Sequence, residues 1–346
     1  YTFIGWKTGN TVYRPGERYD EEQSVTLSAI WKKQEDTSDG KQDPENPASF
    51  VRIAGDTRYE TALKTADALK KSLGVDKFSD IIVADGNNYP DALAGSYLAK
   101  VKKAPLILVD RSVASEKMIG EYIEKNLSDE GTVYLLGGSD VVTERFEKSL
   151  KGIDVKRLAG TTRYETNLEI LNEAKASGED LLACTGEGFA DSLSASAVGK
   201  PILLVDNRGL TKAQKTYLDK ANVQEIYLIG GADVVSDKVG KELKSYDKDS
   251  KTERIAGDNR YKTSVAVAKA FFPDKCDTAV LAYGMKFPDG LAGGPLAISM
   301  GSPLLLVEDT AYTDAKVYGS SVGISRLAVL GGTDVISDAT AKRILQ

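Results

Sequence analysis

Three pairs of arginines hold the spacing most suggestive of chemistry in this chain of 346 residues. Arg52 and Arg58 lie in RIAGDTRYET, Arg157 and Arg163 in RLAGTTRYET, and Arg254 and Arg260 in RIAGDNRYKT, segments that start 105 and then 97 residues apart. Thr57, Thr162 or Asn259 stands just before the second arginine of each pair. In the first two copies Glu60 and Glu165 complete a capping box, in which a hydroxyl covers a first-turn amide and the acid reaches back. Lys262 replaces that acid in the third. The pattern predicts a helix starting at Arg58, Arg163 and Arg260. A cation just inside a helix N-terminus opposes the helix dipole by roughly 0.3–1 kcal/mol, so each guanidinium calls for an anion. Two kinds fit: an internal carboxylate, for which Asp91, Asp191 and Asp289 recur, or an external phosphate or carboxylate held by the guanidinium and free amides.

Other chemistry is cut back by composition. Histidine is absent, which removes Ser-His-Asp and Cys-His nucleophiles and His-ligated zinc. Paired carboxylates survive as a route to hydrolysis. A net charge of −6 argues against nucleic-acid binding, which needs a basic face to displace counterions. Cys184 and Cys276 fall at non-matching points of different copies and suggest neither a disulfide framework nor a metal site. No metal or cofactor is expected. GGSDVVT, GGADVVS and GGTDVIS contain paired glycines, but no GxGxxG or GxxxxGK[ST] follows a strand. Asp140, Asp233 and Asp334 beside the glycines would repel a phosphate. Those segments read as tight turns, with Thr143, Ser236 and Ser337 capping the next helix.

The elements that must position these residues follow the same triplication. Each copy is about the size of a small domain and should own a core. Short apolar runs such as DIIVADG, TVYLLGG and LLACTG alternate with helical stretches such as 57–73, in which Ala62, Ala66, Leu69 and Leu73 share a face. That alternation predicts an α/β fold: three Rossmann-like units, each a parallel sheet covered by helices. PLILV, PILLV and PLLLV fit the central strand of each sheet, with proline at the strand start. The expected organisation is a β module at 1–34, a linker at 35–49, and repeats at 50–152, 153–250 and 251–346. No apolar run approaches the ~18–20 residues that cross a bilayer, so membrane insertion is not expected. Because Tyr1 lies inside an apparent strand, the sequence reads as a piece of something longer, with any targeting segment upstream or removed.

R-[IL]-A-G-x-x-R-Y-x-T, [YF]-x-D-x-L-[AS], P-[LI]-[IL]-L-V and L-[LI]-G-G-x-D-V, three times in order between residues 51 and 346, together resemble the cell wall binding type 2 repeat of clostridial cell wall and S-layer-associated proteins. The resemblance implies three Rossmann-like lobes in a pseudo-threefold arrangement. It also implies a secreted, non-catalytic anchor bound without covalent linkage to an anionic, teichoic-acid-like polymer of a Gram-positive wall. One contact used three times in a ring closes on itself, and several weak anion sites on one body gain from effective concentration. The family's Ile-Leu-Leu motif falls on Ile202, Leu203 and Leu204, and loosely on Leu106 to Leu108 and Leu304 to Leu306. Those apolar side chains suit a core better than a charged polymer. Lys102, Lys103 and Lys200 beside them are better ligands, together with the six arginines. The second copy departs most: Thr161 replaces Asp56 and Asp258, and 12 residues separate Phe189 from Pro201, against 16 in the other copies. At the N-terminus FxGW, then Y-x-PG, then VTLxAIW is similar to the C-terminal part of the Listeria–Bacteroides repeat, a β-grasp-like surface module. Two alternatives stay open: a wall hydrolase, amidase or glycosidase, and a structural or adhesive S-layer component with other S-layer proteins as partners.

Overall fold

The computed structural model describes residues 2–8, 11–13, 28–32, 48–248 and 251–346. The chain divides into two units, Tyr1–Asp43 and Pro44–Gln346. In the first, β1 (Thr2–Thr8) pairs antiparallel with β2 (Thr11–Tyr13) and with β3 (Ser28–Lys32). The register sets Trp6 opposite Ala29 and Trp31 opposite Phe3. The rest of the expected 1–34 module, and residues 35–47 of the expected linker, lie outside the described residues.

The second unit begins with β4 (Ser49–Ile53), α1 (Arg58–Leu73), β5 (Phe78–Asp85), α2 (Pro90–Lys102), β6 (Leu106–Val109), α3 (Val113–Asn126), β7 (Leu127–Leu136) and α4 (Glu144–Ser149). The same order returns as β8 (Asp154–Leu158), α5 (Arg163–Glu173), β9 (Leu181–Thr185), α6 (Ala190–Ala195), β10 (Ile202–Val205), α7 (Lys212–Ala221), β11 (Ile226–Ile229) and α8 (Asp237–Lys244). The third pass is β12 (Glu253–Ile255), α9 (Arg260–Phe271), β13 (Thr278–Tyr283), α10 (Pro288–Leu291), α11 (Gly293–Ser299), β14 (Leu304–Val307), α12 (Thr313–Val322), β15 (Arg326–Leu330) and α13 (Asp338–Leu345). These form three four-stranded parallel sheets, as the alternation of short apolar strands and helices predicts.

The capping residues are the ones the sequence signals, but the second expected capping box does not close: Glu165 accepts the N–H of Thr161 (2.8 Å) rather than that of Thr162. Thr57 and Glu60 make the full capping box, Thr162 and Asn259 cap α5 and α9, and Thr143, Ser236 and Ser337 cap α4, α8 and α13.

The sheets do not coincide with the sequence copies. Their orders are β6-β5-β7-β8, β10-β9-β11-β12 and β14-β13-β15-β4. The first strand of each copy therefore completes the sheet of the copy before it, and β4, which precedes everything, closes the third sheet against β15. The three lobes make a closed ring.

One expectation is corrected. PLILV, PILLV and PLLLV supply β6, β10 and β14, which are edge strands, while β5, β9 and β13 lie inside with β7, β11 and β15. They read as central because they are fully buried. The edge is covered by helices: α1, α2 and α3 pack on β6, α2 and α5 on β10, and α6 and α9 on β14, so the β10 and β14 edges sit in seams between lobes. Buried edge amides need partners. Asn167 supplies them on β10, accepting from Leu204 N–H (2.9 Å) and donating to the Ile202 carbonyl (2.8 Å), while Gln214 donates to the Leu204 carbonyl (2.7 Å). On β14 the Ser264 hydroxyl accepts from Leu306 N–H at 3.1 Å.

Candidate functional site

The first arginine of each pair is a clamp on the borrowed strand. Arg52 donates to the carbonyls of Gly331 (2.7 Å) and Ile336 (2.8 Å) and reaches Asp338 at 2.6 Å. Arg157 takes Gly137 (2.9 Å) and Glu147 (2.7 Å), and Arg254 takes Gly230 (2.8 Å) and Asp237 (3.0 Å). Each thereby ties the fourth strand to the Gly-Gly turn of its host sheet.

The second arginine lies at the seam between lobes. Arg58 and Arg260 donate through Nη1 to the carbonyls of Gly86 (2.7 Å) and Gly284 (2.8 Å), and Arg163 does the same to Gly186. These glycines follow β5, β9 and β13, at the carboxyl ends of the strands where α/β sheets place ligands. Arg163 also lies 3.7 Å from Glu187, and the Arg260 guanidinium stacks 5.4 Å from the Phe189 ring centroid.

The recurring aspartates supply the negative partner, but across the seam rather than within a copy. Asp91 faces Arg163, Asp191 faces Arg260, and Asp289 faces Arg58. Thr263 and Thr61 of the adjoining copy favour the charged forms of Asp191 and Asp289 against burial, while their hydroxyls accept the N–H of Gly257 (3.1 Å) and Gly55 (3.0 Å). The first glycine of each Gly-Gly pair makes room for the carboxylate: a Cβ at Gly137, Gly230 or Gly331 would meet the aspartate Oδ2 at 2.5, 2.6 or 2.7 Å. All three also have positive φ, which favours glycine. Around the axis, Tyr89, Phe189 and Phe287 form a triangle with ring centroids 5.5–5.9 Å apart, each ring tilted on the next.

Burial disfavours the charged form of these acids. It pushes Asp91 up to about 6 against the pull of Arg163, and it raises Asp191 and Asp289 as well. A raised carboxyl contributes stability that is complete below its unfolded value near 4 and lost as pH climbs through the folded value. Asp91→Asn removes that dependence. The stability of wild type relative to Asp91→Asn should therefore rise by at most about 3 kcal/mol between pH 7 and pH 4, measured by denaturant unfolding at each pH. A difference constant with pH would show that burial does not govern this proton.

The cell wall binding domain 2 (CWB2) model matches residues 52–147, 157–240 and 254–341, most of the chain. The chain belongs to the CWB2 family. The function this membership carries is binding of surface proteins to the cell wall. The CWB2 triplet is 27% identical over 278 residues to N-acetylmuramoyl-L-alanine amidase LytC of Bacillus subtilis (strain 168), covering 77% of this chain and 53% of that protein. It is 28% identical over 302 residues to the amidase enhancer of the same organism, covering 85% and 40%. Cwp8 from Clostridium difficile superposes with a TM-score of 0.75 at 25% identity, over 85% of this chain and 51% of that one. Cwp6 gives 0.73 at 21% identity over 100% and 51%, a likeness of fold. The chain thus spans about half or less of each relative.

The Ile-Leu-Leu run of the CWB2 triplet is core: Ile202, Leu203 and Leu204 have no exposed surface. Lys102 lies over the Tyr134 ring (4.9 Å) and near Glu173 (3.8 Å), and Lys200 pairs with Asp180 at 2.5 Å. Lys103 is exposed, with φ 50° in the left-handed region. At the matching point two residues before the proline, the other copies have Gly199 (φ 73°) and Gly301 (φ 59°). What sequence reasoning missed is the copy that supplies each aspartate; the recurrence of Arg and Asp was the available signal. Among the described residues, no helix is long and apolar enough to cross a membrane and no acidic, Cys or His cluster could hold a metal ion.

Proposed function

We propose that the triplet holds a secreted surface protein on a Gram-positive wall by non-covalent binding of an anionic, teichoic-acid-like glycopolymer, and that this region binds rather than cleaves. The observation carrying this reading is the state of Arg58, Arg163 and Arg260. Each is half-buried at a seam and bonds a glycine carbonyl through Nη1, with no hydrogen bond among the described residues at Nε or Nη2. Those nitrogens can donate to a phosphate or carboxylate, and the ring offers them three times, which favours a repeating polymer. Lys103 joins this set. Arg52, Arg157, Arg254, Lys102 and Lys200 serve the fold first. The amidase named among the relatives is about twice as long as the matched region, so wall hydrolysis belongs to this reading only as an activity of other segments. Other S-layer proteins are further candidate partners, and the N-terminal sheet is read as the end of a Listeria–Bacteroides repeat.

The test is retention of the whole chain on intact Gram-positive wall and on wall stripped of its phosphate polymer. Retention on intact wall that falls with salt, and is lost on stripped wall, is expected. Equal retention on both ends the reading. Lys103→Gly sharpens it: relief of the left-handed conformation should add about 1 kcal/mol of stability while retention falls.

A further inference from the structure

The second lobe carries a cleft that the seams do not account for. It is an open groove between α5 and α7 with a volume of about 840 Å³, within the usual range of small-ligand sites. We infer that this cleft binds a phosphate-bearing saccharide segment, a site distinct from the three seams; the inference rests on the reading that the ligand is an anionic wall polymer.

The copies themselves show how the cleft arose. In the first lobe the matching helices are tied across the gap: Tyr122 donates to Asp67 (2.9 Å) and Lys70 to Asn126 (2.5 Å). In the repeat register Asp67 becomes Asn172 and Asn126 becomes Ala221. Both acceptors of the bridge are thus altered, and Tyr217, the counterpart of Tyr122, turns to the Ala176 carbonyl instead (2.9 Å). In the third lobe the counterpart, Tyr318, is 1% exposed, so that gap is filled. Lys175, the counterpart of Lys70, is left exposed beyond the end of α5, with φ 52°. A lysine in the left-handed region is strained relative to glycine, which ends α1 at Gly74 in the same conformation.

Charge and chemistry define the ligand. Lys175, Lys212 and Lys220 line the cleft, and none makes an ion pair among the described residues. Two acids line it as well, Glu165 and Glu169; Glu165 is committed to the N–H of Thr161 at 2.8 Å. The balance is cationic in a protein that is acidic overall. The Tyr217 ring offers an apolar face, and Asn172 and Thr216 offer groups that bond sugar hydroxyls. Ammonium groups beside an aromatic face and an amide suit a sugar phosphate better than a neutral glycan.

Titration of the full chain with poly(glycerol phosphate), with inorganic phosphate and with neutral dextran, followed by calorimetry, tests this. One variant is Lys175→Gly with Lys212→Gln and Lys220→Gln. A second, Asn172→Asp with Ala221→Asn, rebuilds the first lobe's bridge and closes the cleft without removing a lysine. Both should keep the wild-type melting temperature or exceed it. Both should weaken poly(glycerol phosphate) binding at least fivefold, with inorganic phosphate weaker than the polymer and dextran weaker still. A change of twofold or less in both variants overturns the cleft while the anchoring reading stands, provided wild type still binds intact wall. Dextran binding as tight as that of the phosphate polymer overturns the recognition of charge. Failure of wild type to bind intact wall removes both readings.

Discussion

A chain lacking residues 1–53 loses its third lobe as a cooperative unit, while one in which residues 44–57 follow Gln346 through a Gly/Ser linker regains it. The five-residue β4 pairs in register from Ser49 with Arg326 to Ile53 with Leu330. Without it β15, whose Val329 and Leu330 are fully buried, becomes an open edge, and Ile53 leaves the core. Arg52 takes with it its bonds to Gly331, Ile336 and Asp338. At about 1 kcal/mol per net hydrogen bond, the loss is several kcal/mol, on the scale of a domain's whole stability of ~5–15 kcal/mol. Hydrogen exchange of β13 and β15 amides is the measurement. Truncation should remove their protection, and the relocated segment should restore it. Protection unchanged by truncation would show that the ring is not held shut by this strand.

The second large effect comes from one methyl group. Gly160→Ala places a Cβ 2.3 Å from the Glu165 Cβ, 2.6 Å from its carbonyl carbon and 2.7 Å from the Thr166 nitrogen. Two of these atoms are backbone in the first turn of α5, so no rotamer change relieves the clash. Moving that turn also disturbs Thr166, whose hydroxyl accepts the Gly160 N–H at 3.0 Å. A cost of about 2–3 kcal/mol is expected, the upper part of the range for overpacked sites. Gly120→Ala in α3 provides the contrast. Its Cβ meets nothing within 4 Å, and helix propensity favours alanine there by up to about 1 kcal/mol. Denaturant unfolding of both variants should give opposite signs. A neutral Gly160→Ala would mean that the turn yields freely.

Much of this was legible in advance, and the failures share one cause. Caps, strands and helices depend on neighbours in sequence, so Thr57 with Glu60, or the Asp80–Gly86 run, announces its own local structure. The partner of β4 does not: Arg52 bonds Gly331, which lies 279 residues away. With the same motifs in three copies, any strand or aspartate fits its own copy and the adjacent one equally well on residue type, and only geometry decides. The Arg58 and Asp289 pair was legible as chemistry but not as topology. The misplacement of β6, β10 and β14 has a second origin. Apolar content reports burial, and in a ring whose seams bury sheet edges, burial no longer marks the middle of a sheet. In the cleft of the second lobe the informative signal was a difference between copies, Asn126 against Ala221, rather than their agreement.

The pairing of β4 with β15, and the packing of α13 on β4, brings the point where the polypeptide enters the triplet beside the point where it leaves. A module built this way can be spliced in before, after or between other segments of a host protein without forcing the flanking pieces apart. Its attachment to them resembles a plug with both leads on one side.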